Sequence, residues 1–315
     1  MLSRQDVGRR VSVRRSTPAG PTDVVGHLIG FSGEAMTILR RSGEVVSFDP
    51  RAVTAGKVVP PQPVRRVARV PYVTPAALQR VAWAGWPARE HEPLGEWVLR
   101  AHDGVTSRAN AVLAAGDPGR DLPEAFDAVR EWYAARSLPP LLQMPLGEPA
   151  DCALAAHGMG AHRLVVMQVG AVRSVVDAPS LAVGLRAVVE PEPSPDWVTL
   201  CSDLEPATAA AYLEILTGPP VVGFATLHVA DEPVAIARVS VEGEWAGVTS
   251  LYVAPHHRRT GLGSATIRAL LGWAAEQGAQ WSYIQVLVDN APALRLYHRL
   301  GFLTHHVYRY RSLPG

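Results

Sequence analysis

The stretch Arg258-Arg259-Thr260-Gly261-Leu262-Gly263 decides the interpretation of this 315-residue chain. It follows a strand-like run at 247–254 and Pro255, and it opens an amphipathic run at 264–277 with helical spacing. The two glycines let the backbone approach a bound group closely, and the free amides and dipole of a helix start favour an anion. The stretch therefore predicts a pyrophosphate-binding turn between a strand and a helix.

A second motif, Asn290-x-x-Ala293-x-x-Leu296-Tyr297-x-x-x-Gly301-Phe302, follows further along the chain. Its apolar residues share one helical face, and Gly301 is placed to end that helix. Periodicity predicts strands at 221–229, 234–241, 247–254, 282–288 and 304–310, and helices at 264–277 and 291–300. The two motifs therefore lie in a region where strands and helices alternate.

In this order the two motifs resemble the GNAT superfamily of acyl-CoA-dependent N-acyltransferases, over residues 181–311. The resemblance implies that amides of the loop hold the pyrophosphate of acetyl-CoA, the acyl donor, and that the preceding strand binds the pantetheine arm through its backbone. It also implies a strand bulge that leaves one amide for the developing oxyanion. The residues expected to bind acetyl-CoA are Leu251, Tyr252, Val253, Arg258, Arg259, Thr260, Gly261, Leu262, Gly263, Ser264 and Asn290.

The expected catalytic residues are Tyr297 and Glu244. The resemblance makes Tyr297 the general acid toward the departing CoA thiolate, although a hydroxyl with a pKa of about 10 can also only position a thiolate. Histone-type relatives carry a glutamate where this chain has Gly247, so Glu244 is the nearest candidate base. His228, or water relayed by backbone carbonyls, is the alternative base. Asn290 either caps its helix or contacts the pantetheine, and both roles stay open.

The first part of the chain predicts two further units. Five short strand-like runs at 10–14, 24–31, 35–39, 45–48 and 53–59 suggest a small all-β barrel at 1–60, resembling a Src homology 3-like barrel. A proline-rich linker follows at 61–70. A docking appendage is favoured over a binding module for this barrel.

Similar runs at near-constant offsets predict that residues 71–180 are a diverged copy of 181–315. The run 104–107 recurs at 247–250, the helix-like run 125–135 at 266–276, and the run 155–159 at 298–302. Gly116-Asp117-Pro118-Gly119 replaces the arginine–glycine loop, and its aspartate would repel a phosphate. We therefore expect an α/β (α+β) fold of tandem GNAT-like mixed sheets with one acetyl-CoA site per chain. The layout resembles a group of actinobacterial GNAT proteins.

Bulk properties exclude several classes of protein. Residues 1–70 hold twelve Arg and Lys against five Asp and Glu, but no aromatic stripe accompanies this charge, so nucleic acid is the less favoured partner of the barrel. No apolar run is long enough to cross a bilayer, which predicts a cytoplasmic protein without a membrane partner. Cys152 and Cys201 have no metal or redox spacing, and no metal is predicted.

The predicted function is transfer of acetyl from acetyl-CoA directly to an amine of a small molecule or a protein. The acceptor pocket would be shaped by a helix at 205–216 and the loop at 218–220. The alternatives are a non-catalytic acyl-CoA-binding or regulatory protein, suggested by Gly247, and a binding role for the barrel.

Overall fold

The first five strands form an antiparallel sheet in the computed structural model, which describes residues 2–60, 70–156, 161–177, 184–201 and 204–313. They are β1 (Arg10–Arg15), β2 (Thr22–Phe31), β3 (Met36–Arg40), β4 (Val45–Phe48) and β5 (Val53–Val58), in the order β4-β3-β2-β1-β5. Period-two alternation buries Val11 and Val13 in one cluster with Leu28 and Ile38. The five predicted strands are confirmed.

The rest of the described chain builds one mixed sheet of eleven strands flanked by helices. Its order is β11-β12-β13-β14-β15-β10-β16-β9-β8-β7-β6. The strands are β6 (Glu90–Leu94), β7 (Trp97–Ala101), β8 (Val112–Leu113), β9 (Leu141–Pro145), β10 (Ala161–Ala171), β11 (Leu185–Glu190), β12 (Val222–Val229), β13 (Glu232–Glu242), β14 (Trp245–Val253), β15 (Trp281–Leu287) and β16 (Leu303–Ser312).

The helices cover the faces of this sheet. They are α1 (Pro75–Ala84), α2 (Leu122–Ala134), α3 (Pro149–Ala156), α4 (Val172–Val176), α5 (Pro195–Leu200), α6 (Ala209–Thr217), α7 (Leu262–Glu276) and α8 (Ala291–Arg299). On α7, Ile267, Leu270, Leu271 and Ala274 recur at helical spacing and are fully buried. Each large apolar side chain buried in this way stabilises the fold by about 1.5–3 kcal/mol.

The two halves of the sheet exchange their last strands. β10, from the first half, pairs antiparallel with β15 of the second half, and β16, from the second half, pairs antiparallel with β9 of the first. β10 and β16 also pair with each other. The two expected sheets are thus joined into one, and neither half is complete without a strand of the other.

Buried polar contacts tie β16 to the first half. Arg311 of β16 donates from Nε to Asp151 Oδ1 of α3 over 2.7 Å, and Arg309 Nε lies 3.3 Å from the same oxygen. The Gln79 amide of α1 is 2.9 Å from His306 Nε2 and accepts from Gln143 over 2.7 Å. Because these groups are buried, breaking one contact leaves an uncompensated polar group.

One part of the expected repeat is wrong. β8 runs parallel to β9 as β14 runs parallel to β15, so the counterpart of β14 is Val112–Leu113 rather than residues 104–107. Asp103, Gly104 and Thr106 have φ of 50°, 72° and 61°, which excludes a regular strand. The Asn110 side chain holds the turn, since its Oδ1 accepts from His102 N over 2.7 Å. The helices 125–135 and 266–276 do correspond, as parts of α2 and α7.

The small sheet is docked on α8. Ile29 and Leu39 belong to the same buried cluster as Leu294 and Tyr297. A Cβ added at Gly43 would lie 2.7 Å from Leu294 Cβ, so the turn there fits only as glycine. The predicted boundaries at 61–70 and 180/181 fall on residues 61–69 and 178–183, outside the described residues; Val70 is described and buried. The proline-rich stretch 190–195 connects β11 to α5, as a loop.

Candidate acyl-CoA and acceptor site

The strand before the loop, β14, carries a bulge and separates from its neighbour. In its pairing with β13, Ile236 is opposite Tyr252 and Arg238 is opposite Thr249, so two residues of β14 face one of β13. Ser250 has a φ of 54°. β14 pairs with β15 only as far as Val248, and the strands then part. A bulge leaves backbone groups of the extra residue without a cross-strand partner, as expected for an oxyanion-binding amide.

The loop presents a row of free backbone amides. A 3-10 turn at Pro255–His257 leads into Arg259 and Gly261, with φ of 65° and 93°, and α7 begins at Leu262 without a side-chain cap. None of the amides from residue 259 to residue 264 donates a hydrogen bond to another residue that the structure describes. Consecutive amides of this kind at a helix start form a concave anion site.

The glycines of the loop keep this site open. No heavy atom would lie within 4 Å of a Cβ at Gly261, and its left-handed backbone is strained for other residues. A Cβ at Gly263 would lie 3.3 Å from Leu296 Cδ2, so this glycine lets α7 approach α8. The open space at Gly261 and the amides without acceptors among the described residues provide the donors that an anion needs, and these residues therefore fit the pyrophosphate of CoA.

The arginines of the loop differ in their surroundings. Arg258 donates from Nε to the carbonyl of Val253 over 3.0 Å and lies 5.8 Å from the ring centre of Tyr252. It therefore braces the turn against the end of β14. Arg259 is exposed, and Thr260 Oγ1 donates to the carbonyl of His257 over 2.6 Å.

Asn290 and Tyr297 lie on α8, beside α7. Asn290 Oδ1 accepts from the amide of Ala293 over 3.2 Å, so the side chain caps the helix; its contact with pantetheine stays a prediction. Tyr297 is 5% exposed and packs edge-on against Phe302. Its hydroxyl makes no hydrogen bond to a described residue. Burial raises the pKa of Tyr297 well above its usual 10, so the hydroxyl stays protonated.

The structure does not bring Glu244 to the bulge. Glu244 lies in the turn before β14, where its side chain accepts from the Gln280 amide. About 20 Å of strand separate it from Ser250, at about 3.3 Å per residue. A Cβ at Gly247 would collide with the Tyr283 hydroxyl, so this position, where the resemblance implies a glutamate, has room only for glycine. His228, on β12, faces Asp196 at 3.3 Å and does not line the cavity beside the bulge.

A cavity of about 700 Å³ opens where β14 and β15 part. Thr249, Ser250, Gln285 and Leu287 line it from the two parting strands. Glu205, Thr208 and Tyr212 line it from the predicted 205–216 segment, whose helix runs over Ala209–Thr217. Residues of the predicted 218–220 loop do not line it.

Sequence reasoning missed the other walls of the cavity. Trp86, Thr106 and Arg108 come from the first half, and Arg163, Tyr308 and Tyr310 come from the exchanged strands or the residues beside them. No local motif marks these side chains, because only the strand exchange brings them to the bulge. Tyr308 and Tyr310, at alternate positions of β16, are the sequence feature that could have indicated this wall of the cavity.

Within the described residues, no group of three or more His, Cys, Asp and Glu side chains is arranged to hold a metal ion. No helix in the described part of the chain has the length and apolarity to span a membrane.

The mixed sheet, the bulged β14 and the amide-lined start of α7 define a GNAT-fold acetyltransferase. The chain belongs to the family described as "Probable histone acetyltransferase Rv0428c C-terminal", whose model matches residues 76–311. Residues 5–57 match the model of the "Rv0428c N-terminal Sm-like domain".

Two curated relatives are similar over most of their length. The "Probable histone acetyltransferase Rv0428c" of Mycobacterium tuberculosis is 31% identical, over 98% of this chain and 96% of that protein. The "Uncharacterized N-acetyltransferase YobR" of Bacillus subtilis is 31% identical, over 74% of this chain and 96% of that protein.

Solved structures support the fold. A GCN5-related N-acetyltransferase from Kribbella flavida superposes with a TM-score of 0.59 at 20% identity, covering 76% of this chain and 95% of that one. A tandem GNAT protein from the clavulanic acid biosynthesis pathway gives a TM-score of 0.50 at 17% identity, covering 65% of this chain and 76% of that one.

Proposed function

We propose that this chain is an acyl-CoA-dependent N-acyltransferase that moves acetyl from acetyl-CoA directly to an amine. The observation that carries the proposal is the run of amides from residue 259 to residue 264 without acceptors among the described residues. The run follows β14, whose bulge lines the cavity. This supports an anion-binding turn, an oxyanion-binding amide and a space for an acceptor along one strand and the loop after it.

The proposed binding mode follows the amides. The loop from Arg258 to Ser264 binds the pyrophosphate, with Arg259 supplying exposed positive charge. The backbone of Leu251, Tyr252 and Val253 binds the pantetheine arm, although the Val253 carbonyl is already used by Arg258. This places the thioester beside Ser250 and the cavity.

In the proposed reaction the amine lone pair attacks the thioester carbon. A C–N bond forms, the C–S bond breaks, the amide at the bulge stabilises the oxyanion, and the amine proton leaves to water in the cavity. Tyr297 donates a hydrogen bond to the departing thiolate. Because its pKa is raised above that of a thiol, it stabilises the thiolate more than it protonates it.

The test combines binding and turnover. Acetyl-CoA should raise the melting temperature of the full chain, and thiol release should appear with at least one class in a broad panel of amines. No shift at millimolar acetyl-CoA would contradict the whole proposal. A shift without thiol release from any amine would instead support the non-catalytic acyl-CoA-binding alternative.

A further inference from the structure

Three residues that line the cavity beside the bulge carry buried hydrogen-bond donors without an acceptor in the described part of the chain. Arg108 Nη1, Gln285 Nε2 and Ser250 Oγ are all buried, and none has a hydrogen-bond partner among the described residues. All three residues line the cavity. A buried donor without an acceptor costs about 1–3 kcal/mol, and more when it is charged, so three in one cavity point to a ligand that supplies acceptors.

Of these three donors, only Arg108 carries a charge. Its guanidinium carbon lies 4.2 Å from the ring centre of Trp86, which fixes the side chain by a cation–π contact. It forms no ion pair with a carboxylate in the described part of the chain. An arginine that is held in place in the wall of a cavity, and whose buried N–H has no acceptor among the described residues, is suited to bind a carboxylate.

A second arginine adds positive charge behind the same wall. Arg238 is fully buried, donates to carbonyls of Leu216 and Gly85, and reaches Thr249 Oγ1 over 3.4 Å. Its guanidinium carbon lies 5.6 Å from the ring centre of Trp86, and its Nη2 has no partner among the described residues. Burial lowers the pKa of Arg238 to about 9, as expected for a charge without a counterion. Arg238 therefore contacts β14 at Thr249, one residue before Ser250 of the bulge.

The carboxylates do not balance this charge. The described lining holds Arg108 and Arg163 against one acid, Glu205, which is exposed. A basic peptide such as a lysine-rich tail would bring more positive charge to this wall, whereas a carboxylate would offset the charge that is already buried.

We infer that the acceptor is a small amine that also carries a carboxylate, which Arg108 binds while the amine faces the thioester beside Ser250. The inference rests on the proposed function and names the substrate class of the same site. The inference also gives the first half of the chain a role, because Arg108 and Trp86 of that half line the cavity together with Ser250 of β14.

The experiment compares free amino acids with their methyl esters in the acetyl-CoA-dependent thiol-release assay. Alanine, leucine, glutamate and phenylalanine are each tested against the matching ester, together with a lysine-rich peptide. We expect kcat/KM at least about tenfold higher for the preferred free acid than for its ester, from one charge-assisted hydrogen bond. Arg108→Gln should lower the free-acid value to that of the ester. Arg108→Lys should restore part of the preference, and Arg173→Gln, which alters an 88% exposed side chain on α4, should change neither value.

A binding arm separates this inference from the proposed function. N-acetyl-leucine and N-acetyl-leucinamide, together with the corresponding derivatives of the other three amino acids, are titrated into the full chain by calorimetry. At least one acid should bind more tightly than its amide, and Arg108→Gln should remove the difference. If esters, amides or the lysine-rich peptide are preferred, the inference is wrong while acetyl transfer stands. If no amine releases thiol and no acid binds more tightly than its amide, both fail.

Discussion

The starts of α2 and α7 lie at equivalent places in the two halves. They differ in which groups accept hydrogen bonds from their backbone amides. In the first half, Asp117 N donates to Glu96 Oε2 over 2.7 Å, Gly119 N donates to Asp117 Oδ1 over 2.8 Å, and Asp121 caps α2 by accepting from Glu124 N over 2.9 Å. In the second half, the cap position of α7 is Gly261, and the amides from 259 to 264 have no acceptor within the part of the chain that the structure describes.

The difference lies in which helix start can accept an anion. In the first half, carboxylates already accept from these amides and would repel a further anion. The proposed acetyl-CoA site uses only the helix start of the second half. We therefore expect calorimetry to give one acetyl-CoA per chain.

The largest expected effect comes from making the second loop resemble the first. Gly261→Asp puts a carboxylate at the cap of α7, where Asp121 stands in α2. It should weaken acetyl-CoA binding by at least about 1,000-fold, because several charge-assisted hydrogen bonds to the pyrophosphate are lost. Binding is measured by calorimetry.

Gly278→Asp is the matched control. Gly278 follows the same helix, has the same φ of 93° and likewise has no heavy atom within 4 Å of an added Cβ. It should introduce similar strain without weakening acetyl-CoA binding. Equal loss in the two variants would show that backbone strain, rather than the anion site, explains the effect.

A second prediction concerns the strand exchange. Asp151→Ala leaves Arg309 and Arg311 of β16 without their buried carboxylate and should lower the free energy of unfolding by about 3–5 kcal/mol. Chemical denaturation measures this loss. Asp127→Ala, which removes an exposed ion pair within α2, should cost at most about 1 kcal/mol. Similar losses would contradict a stabilising contact between the halves.

A third prediction concerns Tyr297 of α8. Tyr297→Phe should lower kcat by about tenfold to a hundredfold, since the hydrogen bond to the thiolate is lost. Acetyl-CoA binding and melting temperature should change little, because the hydroxyl has no partner in the described structure. An unchanged kcat would favour a tyrosine that serves only packing.

The smallest expected effect is a pH dependence of stability. Burial is the main cause that lowers the pKa of His27 to about 4 and the pKa values of His305 and His306 below 6.5. The folded state thus binds fewer protons than the unfolded state below pH 6.5, and stability falls as the pH drops from 6.5 toward 4.

Each histidine contributes about 1.4 kcal/mol per pH unit at most to this slope. Denaturation between pH 7.5 and 5.5 should show a shallower slope for His306→Gln than for the wild type. His162→Gln, which removes an exposed imidazole on β10, is the control variant. If His306→Gln keeps the slope of the wild type, His306 is not a source of the pH dependence of stability.

Sequence reasoning predicted local features well because short-range rules produce them. The five barrel strands, the helix after Gly263 and the cap at Asn290 each depend on neighbouring residues. The predicted match of 104–107 with 247–250 was wrong because Asn110 holds the first segment in a turn. The similarity of the two short sequences does not reveal this side-chain contact. The acetyl-CoA contacts of the loop and of β14 stay predictions.

The sequence by itself therefore determined the fold class, the barrel and the position of the amide-lined turn. Glycine spacing and hydrophobic periodicity are local properties of the chain. Only the tertiary structure decided the pairing of β10 with β15 and β16 with β9, and with it the wall of the acceptor cavity. Arg108 and Ser250 are far apart in sequence, and their placement depends on strand pairing and buried contacts, which no local pattern encodes.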